Sequence, residues 1–508
     1  MSPEQLAIKK YNSRRPYRAK HLPCHAPFSS INFTQNGDML ACCYNHTEIL
    51  GTYPRQSIKE AWEGKVAQTL RAYMKQNELP AGCDGCKEQI LSGNYSGSRA
   101  IYYDKYASLL TMLPIAIRPP KVFEFEISNI CNLECIMCNG YFSSAIRANR
   151  EKLPKINTPY DDAFVEDVKN YIPHLTDAKF LGGEPFLISQ YFEIWDAIIT
   201  INPKVQVHIT TNGTVLNKRA KACLEKMRAG IIVSIDSLNK ENYEQIRVNG
   251  DFDVLMENIR WLIEYRNRKG LYLSFAVCPM ISNRKYLADI VRFCNENEIY
   301  IHFNTVWKPD EECLLNTSSQ NLAQLIFEIS EIQFGKTAIQ KVNKERTGDF
   351  LAHLRSWHKE QEKHAGETVR LIDLMKDDNA SAALSINSKK FLQEIIDYYD
   401  FCHQQERPYI QPNNRLAEKL MKMADEMGHL EFREAWMETM LYAAKRFFDE
   451  PTYMIIKSNL ENISSLSETF EIEAVNRRIL ENFDFMATLK TLRDSTSAEL
   501  KTKLHPIQ

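Results

Sequence analysis

Strand-like and helix-like segments alternate between residues 120 and 310, and this alternation constrains the fold more than any other feature of the chain. Apolar runs rich in β-branched and aromatic residues are separated by stretches with helical spacing and charged faces, such as 160–173, 251–269 and 283–298. Alternation of this kind predicts a parallel sheet with right-handed crossovers. The six predicted strands are VFEFEIS (122–128), AKFLGG (178–183), VQVHITT (205–211), IIVSID (231–236), LYLSFAVC (271–278) and YIHFNTV (300–306).

Six such units are two short of a closed eight-fold barrel, so we predict an α/β fold built as a partial (β/α)6 TIM-like barrel. Within the strands, one alternating set of side chains is apolar and suits packing under helices. The opposite set is polar and is predicted to face inwards, which a filled hydrophobic barrel would not tolerate without partners. This favours a partly open barrel that holds a polar ligand; a polar core that satisfies itself is the alternative. The inward set is Glu124, Glu126, Ser128, His208, Thr210, Asn212, Ser234, Asp236, Ser274, Ala276, Cys278, His302 and Asn304.

Eight of the 13 cysteines fall within the first 138 residues of the 508-residue chain. The basic N-terminus lacks the apolar segment of a secretory signal, and no run reaches the roughly 18 apolar residues that span a bilayer. We therefore expect a cytoplasmic protein with no membrane partner. In a reducing compartment, clustered cysteines indicate metal binding or catalysis rather than disulfides. The formal net charge of −2 argues against nucleic acid as a partner.

Three cysteines, Cys131, Cys135 and Cys138, follow the first predicted strand in the stretch CNLECIMC. Loops at this end of parallel strands are where a barrel binds its ligands. Three thiolates on a tight loop can hold three irons of a cubane cluster and leave the fourth iron open to another ligand. A zinc knuckle is the alternative, but zinc prefers four closed ligands and no fourth Cys or His follows closely.

Polar and glycine-rich motifs follow the next three strands. They are GGEP (182–185), TTNGT (210–214) and SIDS (234–237). Glycines permit a close approach of the backbone to a ligand, and Glu184 offers an acceptor for an ammonium group. Each of these motifs is weak alone, because each is also compatible with an ordinary turn.

Taken together and in this order, the motifs resemble those of the radical S-adenosylmethionine (radical SAM) superfamily, over roughly residues 120–310. The resemblance implies that the three cysteines ligate a [4Fe-4S] cluster whose open iron is chelated by S-adenosylmethionine. It also implies an external electron donor such as flavodoxin or ferredoxin. Met137 stands where the superfamily often has an aromatic residue near adenine. The implied S-adenosylmethionine contacts are Met137, Asn139, Gly182, Gly183, Glu184, Pro185, Thr211, Asn212, Ser234 and Asp236, the last of which is placed either there or towards the substrate.

A second cysteine group precedes the barrel and consists of Cys24, Cys42, Cys83 and Cys86, with Cys43 as a spare for Cys42. A hairpin turn at NGD (36–38) and a helix over 57–77 are predicted between them. Four thiolates fit either tetrahedral zinc or a fully ligated [4Fe-4S] cluster. The pattern resembles the SPASM/twitch auxiliary-cluster domain of radical SAM enzymes, although that domain usually follows the barrel. This resemblance favours a second [4Fe-4S] cluster over zinc.

Helical patterns replace strands after about residue 311, and this region resembles no family that we can name. We predict three domains: an auxiliary-cluster domain over 1–100, the barrel over 101–310 and a helical region over 311–508. The predicted helical segments of the last region are 320–334, 337–363, 386–405, 414–427 and 430–449.

The resemblance implies an enzyme that cleaves S-adenosylmethionine reductively to a 5′-deoxyadenosyl radical, which abstracts hydrogen from the substrate. A fully ligated auxiliary cluster suits electron transfer and therefore net oxidation. The leading hypothesis is oxidative modification of a ribosomal peptide or a protein side chain. A small-molecule dehydrogenase or epimerase is the runner-up, with Cys278 as a candidate hydrogen donor. A non-catalytic iron-sulfur electron-transfer protein is the alternative from a different class.

Overall fold

Each of the six predicted strands is present, and the strands lie side by side in chain order as parallel neighbours. The predicted α/β partial barrel is therefore confirmed. Three earlier strands precede these six, so in chain order the six are β4 (Val122–Glu126), β5 (Asp177–Phe180), β6 (Gln206–Thr211), β7 (Arg228–Ser234), β8 (Leu273–Val277) and β9 (Tyr300–Phe303). This computed structural model describes residues 3–91, 93, 95, 98–109, 118–375, 384–404, 414–464, 472–480 and 485–495.

The three N-terminal strands belong to the same sheet as the barrel strands. They are β1 (Ser30–Thr34), β2 (Asp38–Leu40) and β3 (Ile49–Thr52), and they extend the sheet in the order β3-β2-β1-β4. β1 runs parallel to β4, with Asn32 opposite Glu124, whereas β2 and β3 continue as antiparallel neighbours. The Cys-rich N-terminal segment thus adds an edge to the barrel sheet.

Helices pack around this sheet, and most begin and end where local signals predict. The helix at 252–269 begins at Asp251, whose side chain accepts hydrogen bonds from the backbone N–H groups of Asp253 and Val254, and it ends at Gly270 with φ +63°. The helices of this part are α1 (Pro3–Ser13), α2 (Ala26–Ser29), α3 (Ile58–Glu63), α4 (Lys65–Lys75), α5 (Asp84–Leu91), α6 (Ser144–Asn149), α7 (Asp162–Lys169), α8 (Ser189–Ile201), α9 (Lys218–Lys226), α10 (Lys240–Ile246), α11 (Phe252–Lys269) and α12 (Leu287–Glu296).

The single helix predicted over 57–77 is wrong in detail, because Gly64 divides it into α3 and α4. Gly64 has an extended conformation with φ −67° and ψ 169°. A Cβ at this position would lie 2.6 Å from the carbonyl oxygen of Glu60, so only glycine fits without a shift. Upstream, Ser57 and Glu60 form a capping box that starts α3.

The chain divides into two compact units, residues 1–305 with 333–346 and residues 306–332 with 347–508. Trp436 and Phe391 are fully buried in the core of the second unit. No helix within the described residues is long and apolar enough to cross a membrane. The remaining helices are α13 (Ser319–Ser330), α14 (Ala338–Met375, which starts in the first unit), α15 (Ile386–Gln404), α16 (Asn414–Met427), α17 (His429–Phe447), α18 (Glu450–Ser464), α19 (Ile472–Leu480) and α20 (Phe485–Asp494).

Candidate functional site

The loop that follows β4 carries Cys131, Cys135 and Cys138 and is held by backbone hydrogen bonds on one side. The N–H of Glu134 donates to the carbonyl of Val248 (2.9 Å), and the N–H of Ile136 donates to the carbonyl of Ile246 (2.9 Å). The loop is therefore fixed against the end of α10, which sets the direction of its thiols.

Burial raises the pKa of all three thiols of this loop, that of Cys138 to about 11. The charge of Cys135 raises the pKa of Cys131 and of Cys138 further. The three sulfur atoms are thus close enough to act on one another electrostatically. A cluster that shares them would supply positive charge and reverse this effect.

The two glycines of GGEP are explained by the close approach of the segment that precedes the cysteine loop, which leaves no room for a side chain at either position. Gly182 and Gly183 both have positive φ, +78° and +43°. A Cβ on Gly182 would lie 2.9 Å from the carbonyl oxygen of Ser128, and one on Gly183 would overlap the carbonyl oxygen of Ile130. The loop after β5 therefore presses directly on the start of the cysteine loop.

Glu184 is completely buried, and its hydrogen bonds join GGEP to TTNGT and to Ile130, the residue before the cysteine motif. Its Oε1 accepts from the hydroxyl of Thr211 (2.7 Å) and from the N–H of Phe186 (3.1 Å), and its Oε2 accepts from the N–H of Asn212 (2.7 Å). Its own N–H donates to Ile130 (2.7 Å). Burial raises its pKa to about 7. Because a carboxylate has about four acceptor sites, one remains for an ammonium group.

Asn132, a residue that the motif analysis did not identify, connects the cysteine loop to the loop after β6. Its Oδ1 accepts from the side-chain amide of Asn212 (2.9 Å), and its Nδ2 donates to the hydroxyl of Thr214 (3.0 Å). The ends of β4, β5 and β6 therefore form one hydrogen-bonded structure around Cys131.

Asp236 is also fully buried, and its carboxylate is engaged by two groups of the protein. Its Oδ2 accepts from Nε of Arg247 (2.8 Å), and its Oδ1 accepts from the N–H of Cys278 (2.7 Å). Arg247, which is itself buried, also points Nη1 at Sγ of Cys135, at 3.9 Å. The geometry thus connects Asp236 to the cysteine loop through Arg247. The local sequence IRVNG (246–250) contains no pattern that indicates a buried arginine at position 247.

The other predicted contacts differ in exposure. Met137 and Ser234 are half-buried, Pro185 is buried and Asn139 is exposed. Cys278 is half-buried at the end of β8, and burial raises its pKa to about 12, with further contributions from Asp236 and from the thiols of the cysteine loop.

The four N-terminal cysteines are brought together by the fold. Burial raises the pKa of Cys24 well above its usual value, and the charges of Cys42, Cys86 and Cys83 raise it further. Burial likewise raises the pKa of Cys42 to about 11, with added effects of Cys83 and Cys86. These four sulfur atoms therefore share one environment.

Cys43 faces a different environment from its neighbour Cys42. Burial raises its pKa to about 12; among charged groups, Arg99 acts on it most strongly, followed by Glu124. The charged groups of the barrel therefore act most strongly on Cys43, whereas the thiols of Cys83 and Cys86 act on Cys42.

The two thiol sets lie at opposite ends of β4. Cys24 and Cys42 pack against a small core that contains Val122, the first residue of β4, whereas the loop with Cys131 follows Glu126, the last. Five residues of strand span about 16 Å. The packing of Cys24 and Cys42 thus places the N-terminal set towards the first residue of β4, and the Cys131 loop follows its last residue.

Glu124, an inward residue near the N-terminal end of the barrel, is paired with two basic side chains. Glu124 accepts from Nζ of Lys179 (2.8 Å) and from Arg99 (3.3 Å), and Arg99 belongs to the short 3-10 helix Arg99–Tyr106. Burial lowers the pKa of Lys179 to about 8. At this end of the barrel, Glu124 is therefore paired with side chains of the protein, as the alternative of a self-satisfied polar core predicted.

In number and chemistry, both thiol sets fit iron-sulfur ligation: three donors on one loop, and four donors in one environment. Within the part of the chain that the structure describes, no set of three or more Cys, His, Asp or Glu side chains is already closed around a common point as a metal-ion site.

Two family models match the chain in the regions that carry these thiols. The model of the radical SAM superfamily matches residues 125–294, and the SPASM model, an iron-sulfur cluster-binding domain, matches residues 24–87. The second match contains Cys24, Cys42, Cys83 and Cys86 and lies N-terminal to the first, as predicted. Together the matches support [4Fe-4S] clusters and S-adenosylmethionine as cofactors.

Curated relatives resemble only part of this chain. A probable GTP 3′,8-cyclase of Methanocella arvoryzae is 30% identical over 177 residues, which cover 34% of this chain and 49% of the relative. The GTP 3′,8-cyclase of Limosilactobacillus fermentum is 25% identical over 205 residues, which cover 40% and 55%. The chain thus spans about half the length of the curated relatives it matches.

Solved structures give a similar partial likeness. SuiB of Streptococcus suis bound to S-adenosylmethionine has a TM-score of 0.33 and 16% identity, with 54% of this chain and 59% of that chain covered. The structure of anSMEcpe with bound AdoMet has a TM-score of 0.33 and 17% identity, with 41% and 56% covered.

Proposed function

We propose that this chain, which carries a radical SAM domain behind an N-terminal SPASM domain, is an enzyme that cleaves S-adenosylmethionine reductively and oxidatively modifies a ribosomally made peptide or a protein side chain. The observation that supports cleavage of S-adenosylmethionine is the hydrogen-bonded junction of the ends of β4, β5 and β6 around Cys131, with Glu184 at its centre. When bound, the cluster and S-adenosylmethionine supply a 5′-deoxyadenosyl radical that abstracts hydrogen from an unactivated carbon.

The residues of the chain hold and orient these cofactors. Cys131, Cys135 and Cys138 provide three ligands on a loop that is fixed to the end of α10. Glu184, already positioned by Thr211 and Asn212, keeps one acceptor site for the ammonium group of the methionine moiety. Met137 and Ser234 are half-buried and accessible to the remaining parts of the ligand.

The N-terminal thiols support the oxidative direction of the reaction. Cys24, Cys42, Cys83 and Cys86 suffice to ligate a cluster fully, which leaves no iron for the substrate. Their place at the opposite end of β4 from Cys131 suits a group that takes up an electron at a distance. A flavodoxin or ferredoxin is the class of external donor that would reduce the cluster on the Cys131 loop.

The first experiment measures iron, sulfide and zinc after anaerobic reconstitution, together with the formation of 5′-deoxyadenosine. We expect about eight irons in the wild type and about four in a variant with alanine at Cys131, Cys135 and Cys138. That variant should form no 5′-deoxyadenosine. A matched variant with alanine at Cys223, Cys294 and Cys313, buried cysteines outside both sets, should keep the iron and the activity. About four irons with one zinc in the wild type would contradict the auxiliary cluster.

The substrate class needs a separate experiment. If the substrate is a peptide, the peptide fraction of a cell extract should stimulate 5′-deoxyadenosine formation, and prior protease treatment should abolish the stimulation. Stimulation by the small-molecule fraction alone would instead favour the small-molecule alternative.

Cys278 supports a second candidate function, epimerisation. Its pKa of about 12 keeps the thiol protonated at neutral pH, as a hydrogen donor requires, and the thiols of Cys135 and Cys138 contribute to raising that pKa. If Cys278 donates this hydrogen, turnover in D₂O should place deuterium in the product, and Cys278→Ala should abolish that incorporation while S-adenosylmethionine cleavage continues.

A further inference from the structure

Arg247 is a buried charged group that contacts a thiol of the cysteine loop, and the proposed function leaves it without a role. It is only 6% exposed, and its Nη1 lies 3.9 Å from Sγ of Cys135. The backbone on both sides of it, at Ile246 and Val248, receives the hydrogen bonds that fix the cysteine loop. The backbone that carries Arg247 is therefore fixed against the cysteine loop.

Asp236 holds Arg247 in this position from the opposite side. The Asp236 carboxylate accepts from Nε of Arg247 (2.8 Å) and from the N–H of Cys278 (2.7 Å). The side-chain amide of Asn283 in turn donates to the carbonyl of Asp236 (2.9 Å). The contact with Asp236 thus orients the guanidinium, and Nη1 is directed at Sγ of Cys135.

A positive charge beside a cluster-ligating sulfur changes the energy of the two redox states unequally. Reduction adds a negative charge to the cluster, so a nearby guanidinium stabilises the reduced state more than the oxidised state. The effect is largest where water is excluded, as it is around Arg247. Asp236 carries the opposite charge and reduces the effect.

We propose that Arg247, positioned by Asp236, raises the reduction potential of the cluster on the Cys131 loop through its contact with Sγ of Cys135. Arg247 is a positioning and tuning residue, because it acts through a ligand of the cluster. This inference rests on the proposed function. If the cysteine-loop variant kept all its iron, the proposed function would fail; an unchanged potential in a chain with both clusters would overturn the inference alone.

The test is a potentiometric titration of the full chain, read by the EPR signal that changes on addition of S-adenosylmethionine. Arg247→Gln should lower the potential, with at least a tenfold fall in the reduced-to-oxidised ratio at fixed potential, equivalent to ~59 mV for one electron. Asp236→Asn should raise the potential, because it removes the opposing charge. The double variant should lie near the wild type.

Two further variants separate tuning from a purely structural role. Arg247→Lys keeps the charge and should keep most of the potential. Arg71→Gln removes another buried arginine, which donates to the carbonyl of Pro27 and stacks on Trp62, and it should leave the potential unchanged. If Arg247 and Asp236 had only a structural role, Arg247→Gln and Asp236→Asn would both lower the cluster content, and they would not shift the reduction potential in opposite directions.

Several outcomes would overturn the inference. They are an unchanged potential in Arg247→Gln, a shift of the same sign in Asp236→Asn, or a loss of S-adenosylmethionine affinity at unchanged potential, which would make Arg247 a ligand contact instead. If Arg247→Gln fails to retain the cluster, the variants Arg247→Lys and Asp236→Asn decide the question. A raised reduction potential in Asp236→Asn, together with a nearly unchanged potential in Arg247→Lys, would support tuning. Any other pair of results would reject it.

Discussion

A carboxylate as deeply buried as Glu184 is tolerated only because protein donors replace water around it. Three donors do so here, yet burial still raises the pKa of Glu184 to about 7. In an unfolded chain the pKa of a glutamate is about 4.3. The folded chain therefore binds this proton more tightly than the unfolded chain does. The stabilising contribution is fully present below about pH 4.3 and is lost as the pH rises through about 7.

Glu184→Gln removes this pH dependence because the amide does not titrate. We expect the free energy of unfolding of the wild type to fall relative to that of the variant by on the order of 3 kcal/mol between pH 4.3 and 7. Urea unfolding at a series of pH values measures this difference. A difference in the free energy of unfolding that is the same at every pH is expected from altered hydrogen bonding; the prediction concerns only the part that changes with pH. Parallel curves over the whole range would contradict the prediction.

The neighbouring residues Cys42 and Cys43 are predicted to differ in their effect on iron binding. Cys42 shares its environment with Cys83 and Cys86, whereas Cys43 faces Arg99 and Glu124. Cys42→Ala should therefore reduce the reconstituted iron from about eight to about four per chain, and Cys43→Ala should retain about eight. Iron and sulfide analysis of the two variants in parallel is the measurement, and each serves as the control for the other. The reverse order would assign the ligand to Cys43.

Among the structural elements, the loop after β5 depends most strictly on glycine. At Gly183, a Cβ would overlap the carbonyl oxygen of Ile130, and φ is positive. We expect Gly183→Ala to destabilise the chain by about 2 kcal/mol or more, since a strained backbone and a steric overlap add. Cluster content should fall as well, because Ile130 directly precedes Cys131. Thermal unfolding and iron analysis measure the two effects.

Gly348→Ala provides the matched control for this substitution. Gly348 lies in α14, and nothing lies within 4 Å of a Cβ placed there. Alanine is also the better helix former, so this variant should be as stable as the wild type or slightly more stable. Equal losses in both variants would show that the overlap at Gly183 is relieved by a small shift of the loop.

The six barrel strands could be predicted from local periodicity, because the alternation of apolar and polar residues lies within the sequence of each strand. VFEFEIS predicts β4, and SIDS correctly marked the end of β7. The break of the 57–77 helix at Gly64, which is extended, was not predicted, because a glycine inside a helical pattern can be tolerated or can interrupt the helix depending on the packing around it. Arg247 was missed for a similar reason. A charged residue is identified as buried only when its partners, here Asp236 and Cys135, are known.

The largest feature that the sequence does not predict is the joining of the N-terminal strands to the barrel. The parallel pairing of β1 with β4 connects residues that are about 90 positions apart, and no local pattern encodes such a pairing. Its consequence is that a segment that precedes the barrel in the chain becomes the edge of the barrel sheet. The two candidate cluster sites are thereby held at the two ends of one strand, β4.

The core of the first unit provides the test of this shared sheet. Phe33 of β1 is fully buried, with its ring 5.0 Å from that of Phe123 and 5.2 Å from that of Phe125. Because these rings belong to both parts of the sheet, Phe33→Ala should lower the free energy of unfolding by about 3–5 kcal/mol. It should also increase amide hydrogen exchange in β1 and in β4 together. Phe391→Ala, which truncates an equally buried ring 5.4 Å from Phe432 in the second unit, is the control and should leave exchange in β1 and β4 unchanged. Exchange that rises in residues 24–87 while β4 to β6 remain protected would show that the N-terminal strands fold and unfold independently of the barrel.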